Sequence, residues 1–201
     1  MRLFSIKPGI TIRGRAFRGL RGWAGKPWHP PLTDFPIVCL SLGALFDLIS
    51  RFSQDGTERA QDFFVAAGFV LIVGQIVALG ATLTGFWDWW KGLDRDGSSG
   101  ALGRAKHTQV WRTVNWHAIL MISGALLTTV NIATRLGNFD LGQSPMLNVV
   151  LSILAAGTML LGATYGGALV FDYQFNVESL KGSTAWDETE QDQLPGDRSK
   201  G

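Results

Sequence analysis

Two histidines and two acids in this sequence have types and spacing that could support chemistry. His29 and His117 each follow a tryptophan at the start of an apolar run, and Asp88 and Asp172 each lie among aromatic residues at the end of one. The histidines are 88 residues apart and the acids 84. This pattern predicts two copies of a helical hairpin, with all four side chains toward the same end.

These four side chains suggest three kinds of site. Two histidines from different helices can ligate a b-type haem, and His117 with His29 is the pair the sequence offers. His29, His117, Asp88 and Asp172 together supply the N and O ligands of a metal site. A quinone or pigment headgroup is a third option, and a neutral His117 donating to a neighbouring helix is the structural alternative. His29 precedes two prolines and is expected to lie shallower than His117.

The elements that must position these residues are four segments without Lys, Arg, Asp or Glu. Three of them, 63–87, 113–134 and 145–171, are long enough to cross about 30 Å of hydrocarbon as a helix. The fourth, 35–46, is shorter and continues past Asp47 to Ser50, which brings it to about that length. The sequence therefore predicts an all-α, integral membrane four-helix bundle over residues 31–177. Its approximate helices are 33–51, 62–90, 110–134 and 145–172.

The two ends of the chain have a different composition. Residues 1–30 are predicted to form a basic arm that binds anionic lipid or an acidic partner protein, and residues 178–201 a disordered acidic tail. The basic residues of the arm include Arg13, Arg15, Arg18 and Arg21.

Charge places the two ends and the middle loop on one side of the membrane. Near the predicted spans, that side has twelve Lys and Arg and the other has three. By the positive-inside rule, both termini and the middle loop are expected in the cytoplasm. Tryptophans cluster near the same span ends, where indoles favour the headgroup region.

Several residues are predicted to shape or join the helices. Thr33 or Asp34 is expected to cap the first helix, and Asp47 to pair with Arg51 one turn later. Gln75, Asn131 and Asn148 are expected to hydrogen-bond between helices. The predicted packing or partner surfaces consist of Gly162, Gly166, Ala81, Gly85, Trp87, Trp89 and Trp90.

The motifs around these residues also carry a family resemblance. The first predicted helix is preceded by WHPPLTDFP and contains FDL, and the later helices contain TGFWDW, WHAIL and GGALVFDYQFNV. Together these motifs resemble the bacterial family called Domain of Unknown Function 2231, over about residues 25–178. Members are four-helix inner-membrane proteins without an assigned activity, and some carry fused Rieske or cytochrome c domains. The resemblance implies proximity to electron transfer, with His117 and His29-Pro30 matching its histidine positions. The segment after Gly-Gly, Phe171 to Gln174, departs from the family's basic or His-containing pattern.

No catalytic or nucleic-acid-binding motif is found in the sequence, so an enzymatic role has little support. The first expectation is a non-catalytic accessory subunit that anchors, assembles or stabilises a respiratory or photosynthetic electron-transfer complex, in contact with lipids and other membrane subunits. The alternatives are a b-haem redox protein, and a metal or small-solute carrier that uses the His/Asp cluster.

Overall fold

The computed structural model of the protein describes residues 28–93 and 108–175, which contain four α-helices and no strand. They are α1 (His29–Phe52), α2 (Glu58–Leu93), α3 (Gln109–Arg135) and α4 (Met146–Phe171). All four are long and apolar enough to cross a membrane. The predicted all-helical membrane fold is therefore confirmed. Residues 1–27 of the predicted arm, with Arg13, Arg15, Arg18 and Arg21, and the tail 178–201 lie outside the described residues.

The first helix begins earlier than the sequence indicates. Its first residue is His29, four residues before the predicted start, and its N-cap is Trp28. Pro30 and Pro31 fit in the first turn because the backbone N–H groups there have no helical partner. The expected cap at Thr33 or Asp34 is therefore wrong, and the Thr33 hydroxyl instead donates to the carbonyl of Pro30 at 2.7 Å.

The helices form an antiparallel bundle of two hairpins. α1 packs on α2 and α3 on α4, and the hairpins meet through α1 against α4 and, less extensively, through α2 against α3. A short connection, 53–57, joins the first pair, and residues 136–145 join the second. This up-and-down order places the start of α1 and α3 and the end of α2 and α4 at one end of the bundle, called here the histidine end.

The apolar core is small, and it relies on close helix approach. Leu40, Leu71, Ala155 and Met159 are nearly fully buried and belong to one cluster. Outward-facing apolar side chains remain widely exposed, with Leu83 at 72 %. This distribution is expected when lipid rather than water surrounds the bundle, because apolar side chains are then favoured on both sides of each helix.

Candidate functional site

His29 and His117 meet at the histidine end of the bundle. Their ring centres are 6.1 Å apart and the ring planes are inclined at 83°. The two rings come from α1 and α3, the diagonally opposed helices, so the pair lies between the two hairpins. The earlier start of α1 makes His29 part of the helix and places its ring in contact with that of His117, although the sequence predicts a shallower position for it.

Each histidine is held by the partner helix of its own hairpin. His29 Nδ1 lies 2.9 Å from the carbonyl oxygen of Ala81, and His117 Nδ1 lies 2.8 Å from that of Gly162. One turn further along each partner helix is a glycine. A Cβ on Gly85 would lie 2.5 Å from His29 Cε1, and one on Gly166 would lie 3.0 Å from His117 Cε1. Both rings therefore occupy space that a side chain at Gly85 or Gly166 would fill.

These hydrogen bonds determine the tautomer of each ring. A carbonyl oxygen only accepts, so Nδ1 must carry the proton, and in the neutral imidazole Nε2 keeps its lone pair. Among the described residues, neither Nε2 has a hydrogen-bond partner. Metal-binding histidines commonly use this arrangement, in which the N–H bond to a carbonyl orients the ligating nitrogen.

The two hairpins repeat the same contacts in register. His29 and His117 are 88 residues apart, and so are Asp47 and Arg135, which also meet. On the partner helices Ala81 matches Gly162 at a separation of 81 residues. The predicted hairpin repeat therefore has structural support. Asp88 and Asp172 are not equivalent positions of this repeat, because the separation of 81 residues matches Asp88 with Leu169. The side chains of Asp88 and Leu169 are both buried.

The four predicted metal ligands do not assemble into one cluster. Asp88 is buried near the end of α2, while Asp172 is exposed at the C-cap of α4. Among the described residues, no group of three or more His, Cys, Asp or Glu side chains is placed to hold a metal ion. The structure thus brings together the two histidines of the proposed set, without the two acids.

A narrow crevice of about 30 Å³ lies beside His29, inside the bundle. Small residues such as Ala78, Ala81 and Ala125 line it, together with the thioether side chains of Met121 and Met159. A larger depression of about 590 Å³ at the opposite end, between Leu48 and Arg59, is open and has no buried lining residue. The crevice is therefore the cavity beside His29, and His117 is not among its lining residues.

The opposite end of the bundle contains a buried ion pair. Arg135 of α3 donates to Asp47 of α1, and both side chains are fully buried. The same arginine donates to Asn131 at 2.9 Å and to the carbonyl of Phe64 at 3.2 Å. The predicted pair of Asp47 with Arg51 is wrong.

Other polar groups complete this cluster. Ser144 and Ser152 donate to Asp47, and Asn148 donates to Asn131 at 2.7 Å. Gln75 of α2 donates to Thr129 of α3 at 3.1 Å. The expectation that Gln75, Asn131 and Asn148 join helices is confirmed.

Sequence reasoning missed three residues of the ion-pair cluster, Arg135, Ser144 and Ser152. The 88-residue separation of the histidines, applied to Asp47, would have found Arg135. The two serines carried no comparable signal, because single serines are common in membrane helices and loops.

The predicted packing residues have two different environments. Ala81, Gly85, Gly162 and Gly166 lie inside the bundle and contact the other helix of their own hairpin. Trp87 and Trp90 are about half exposed, and Trp89 contacts Phe86 and Trp90. The small residues therefore serve packing within the chain, and a partner surface remains a prediction for the tryptophans.

The fold and its site together define a four-helix membrane protein of two hairpins with paired histidines between them. The family model DUF2231, described as a predicted membrane protein, matches residues 25–179. The chain belongs to this family, as the sequence motifs indicated. Neither the curated proteins nor the solved structures compared with the chain gave a match.

Proposed function

We propose that this protein is a membrane redox protein that holds a metal centre between its hairpins through Nε2 of His29 and Nε2 of His117. The observation that supports this proposal is the paired, symmetric orientation of the two rings. A metal–nitrogen bond is about 2.0–2.1 Å and a ring nitrogen lies about 1.1 Å from its ring centre. Two imidazoles that bound one metal would therefore have ring centres no more than about 6.3 Å apart, and the observed separation is 6.1 Å.

The number of ligands limits which centres suit the site. A haem iron has four porphyrin nitrogens and needs two axial ligands from the protein. A bare ion such as Zn²⁺ usually takes three or four protein ligands, more than the two histidines supply. Haem iron and copper both change oxidation state by one electron, so either centre would pass single electrons between membrane partners.

The role of an accessory subunit in a respiratory or photosynthetic complex stays a prediction. A redox centre near one membrane face is compatible with that role, because electrons must come from a donor and leave to an acceptor. The described residues carry no feature that identifies such a partner. The carrier alternative loses its proposed ligands Asp88 and Asp172, which do not join the histidines.

The experiment that tests this function is a reduced-minus-oxidised absorption spectrum with metal analysis, on protein purified from its native membrane in mild detergent. The expected result is a bound redox metal that is lost in His117→Ala and in His29→Ala. A wild-type protein without metal or haem, whose His117→Ala variant loses only stability, would assign the histidines to packing and reject the proposal.

A second pair of variants separates ligand geometry from folding. Gly85→Ala would displace the His29 ring without removing it, because the new Cβ would lie 2.5 Å from Cε1. Changes of this kind around metal ligands typically cost about 10–100-fold in affinity. Gly80→Ala on the same helix is the matched control, since nothing lies within 4 Å of its added Cβ. Equal metal affinity in both variants would contradict the proposed ligation.

We also propose that the histidine end faces the cytoplasm of a bacterial inner membrane, on the basis of the Lys and Arg distribution. The test uses a Cys39→Ser background, which removes the single cysteine. A membrane-impermeant maleimide should label Asp55→Cys in intact spheroplasts and Gln109→Cys only after lysis. The opposite labelling pattern would reverse the orientation.

A further inference from the structure

The crevice beside His29 has a chemical character that the paired histidines alone do not explain. Two of the protein's four methionines, Met121 and Met159, line it with His29. We infer that the metal of this site is Cu(I), held by His29 and His117 and supported by the thioethers of Met121 and Met159. This inference rests on the proposed metal-binding function and names the ion.

Met121 and His117 occupy neighbouring positions on one face of α3. They are four residues apart, which places them one turn apart on the same side of the helix. A Cβ added to Gly162, whose carbonyl holds His117, would lie 2.8 Å from the sulfur of Met121. The thioether and the imidazole therefore contact the same short stretch of α4.

Met159 approaches the site from the facing helix. It lies one turn before Gly162 on α4, and its side chain is 1 % exposed. Its terminal methyl would be 3.4 Å from a Cβ on Gly124 of α3. The crevice thus combines ligand types from α1, α3 and α4, namely His29, Met121 and Met159.

The size of the crevice favours an ion over a porphyrin. A volume of about 30 Å³ is comparable to one water molecule, whereas small-molecule pockets typically measure about 300–1,000 Å³. A haem would require the hairpins to separate at this end. A single ion requires only small side-chain movements.

The chemistry of the donors favours Cu(I) among ions. Thioethers are soft ligands that select Cu(I), and neutral imidazoles also suit copper. Cu(I) accepts low coordination numbers, so two imidazoles with one or two sulfurs can satisfy it. A monovalent ion is also favoured because the desolvation cost of an ion in a low-dielectric interior rises with its charge. The described residues place no cluster of three His, Cys, Asp or Glu ligands that would satisfy a harder divalent ion.

The test is an anaerobic Cu(I) titration of the full-length protein in detergent, with bathocuproine disulfonate as competing chelator. Wild type is expected to bind one Cu(I) per chain, and His117→Ala to bind none. Met121→Leu and Met159→Leu keep the side-chain volume and remove the sulfur, so each should weaken Cu(I) binding about tenfold or more. Met146→Leu is the matched control, because Met146 is 55 % exposed at the start of α4 and should bind Cu(I) as wild type does.

The other outcomes separate this inference from the function on which it rests. A protein that carries a b-type haem and does not bind Cu(I) would overturn the copper assignment and keep the redox function. Cu(I) binding that is unchanged in the Met121→Leu/Met159→Leu double variant would overturn the role of the thioethers. A wild type that binds neither haem nor Cu(I) would overturn both proposals. Unfolding temperatures of all variants identify losses that come from misfolding.

Discussion

At the scale of single residues, the buried Asp47–Arg135 pair is the clearest example of a charge made tolerable by its surroundings. Asp47 accepts hydrogen bonds from Arg135, Ser144 and Ser152, and the guanidinium also lies 5.0 Å from the ring centre of Phe64. A buried ion pair stabilises only when its remaining donors and acceptors are satisfied. Here every helix contributes at least one group, so the cluster fixes the relative position of all four.

Asp47→Asn is therefore expected to destabilise the protein strongly. The change leaves Arg135 buried without a counter-charge, which typically costs roughly 3–5 kcal/mol. Thermal unfolding in mild detergent should show a large decrease in midpoint, while Asp62→Asn at an exposed position of α2 should behave as wild type. The double variant Asp47→Leu/Arg135→Met should recover much of the loss, because no lone charge remains. A single Asp47→Asn variant as stable as wild type would disprove this account of the pair.

The sequence allowed one of the two polar pairs to be predicted. The Trp-His dipeptides singled out His29 and His117 as a pair. Asp47 was assigned instead to Arg51, because a partner one turn away is the nearest one that sequence offers. In the structure Asp47 faces the core, whereas Arg51 reaches the loop before α4 and donates to Gln143 at 3.0 Å. Tertiary packing determines which of the two arginines pairs with Asp47, and helical spacing alone does not predict it.

At the scale of the helices, the hairpins depend on small residues at the contact lines. A Cβ on Gly74 of α2 would lie 2.6 Å from the Cβ of Cys39 on α1. Neither atom can move without its backbone, so α1 and α2 are as close as glycine permits. In lipid, such close approach is a principal source of helix association, since apolar side chains gain little by leaving the hydrocarbon.

Gly74→Ala should accordingly push α1 and α2 apart. Overpacking of this kind typically costs roughly 1–3 kcal/mol, more than the ~1 kcal/mol that alanine gains over glycine in helix propensity. The thermal midpoint measured by circular dichroism should fall for Gly74→Ala and stay constant or rise slightly for Gly80→Ala on the same helix. If both variants unfold at the wild-type temperature, the contact between Gly74 and Cys39 does not limit the approach of the helices.

The helices themselves were predictable from the charge-free segments, because a backbone in hydrocarbon must satisfy its own hydrogen bonds. Their ends were less predictable. Prolines 30 and 31 suggested a turn before α1, yet they occupy its first turn, and this difference brings His29 into the helix. The difference in the start of α1 therefore changed the predicted position of a candidate ligand.

At the scale of the whole molecule, the two hairpins form a pseudo-symmetric pair around one axis. Equivalent residues of α1 and α3 meet at both ends, His29 with His117 and Asp47 with Arg135. The 18 residues between the two levels correspond to about 27 Å at 1.5 Å per residue, nearly the ~30 Å thickness of the hydrocarbon. The contacts between the hairpins thus include one polar pair near each membrane face, with an apolar core between them.

This organisation predicts that the hairpins assemble without a covalent connection. Residues 1–100 and 101–201, expressed as two chains in one cell, should each insert as a hairpin and then associate, because most helix contacts lie within a hairpin and the rest are non-covalent. A tag on the first chain should co-purify the second in mild detergent. Asp47→Asn in the first chain should greatly reduce the recovery of the second, since it removes the counter-charge of Arg135, while Asp62→Asn should leave recovery unchanged. Two inserted hairpins that fail to co-purify would mean that the connecting segment, rather than the polar pairs and the α1–α4 contact, holds the bundle together.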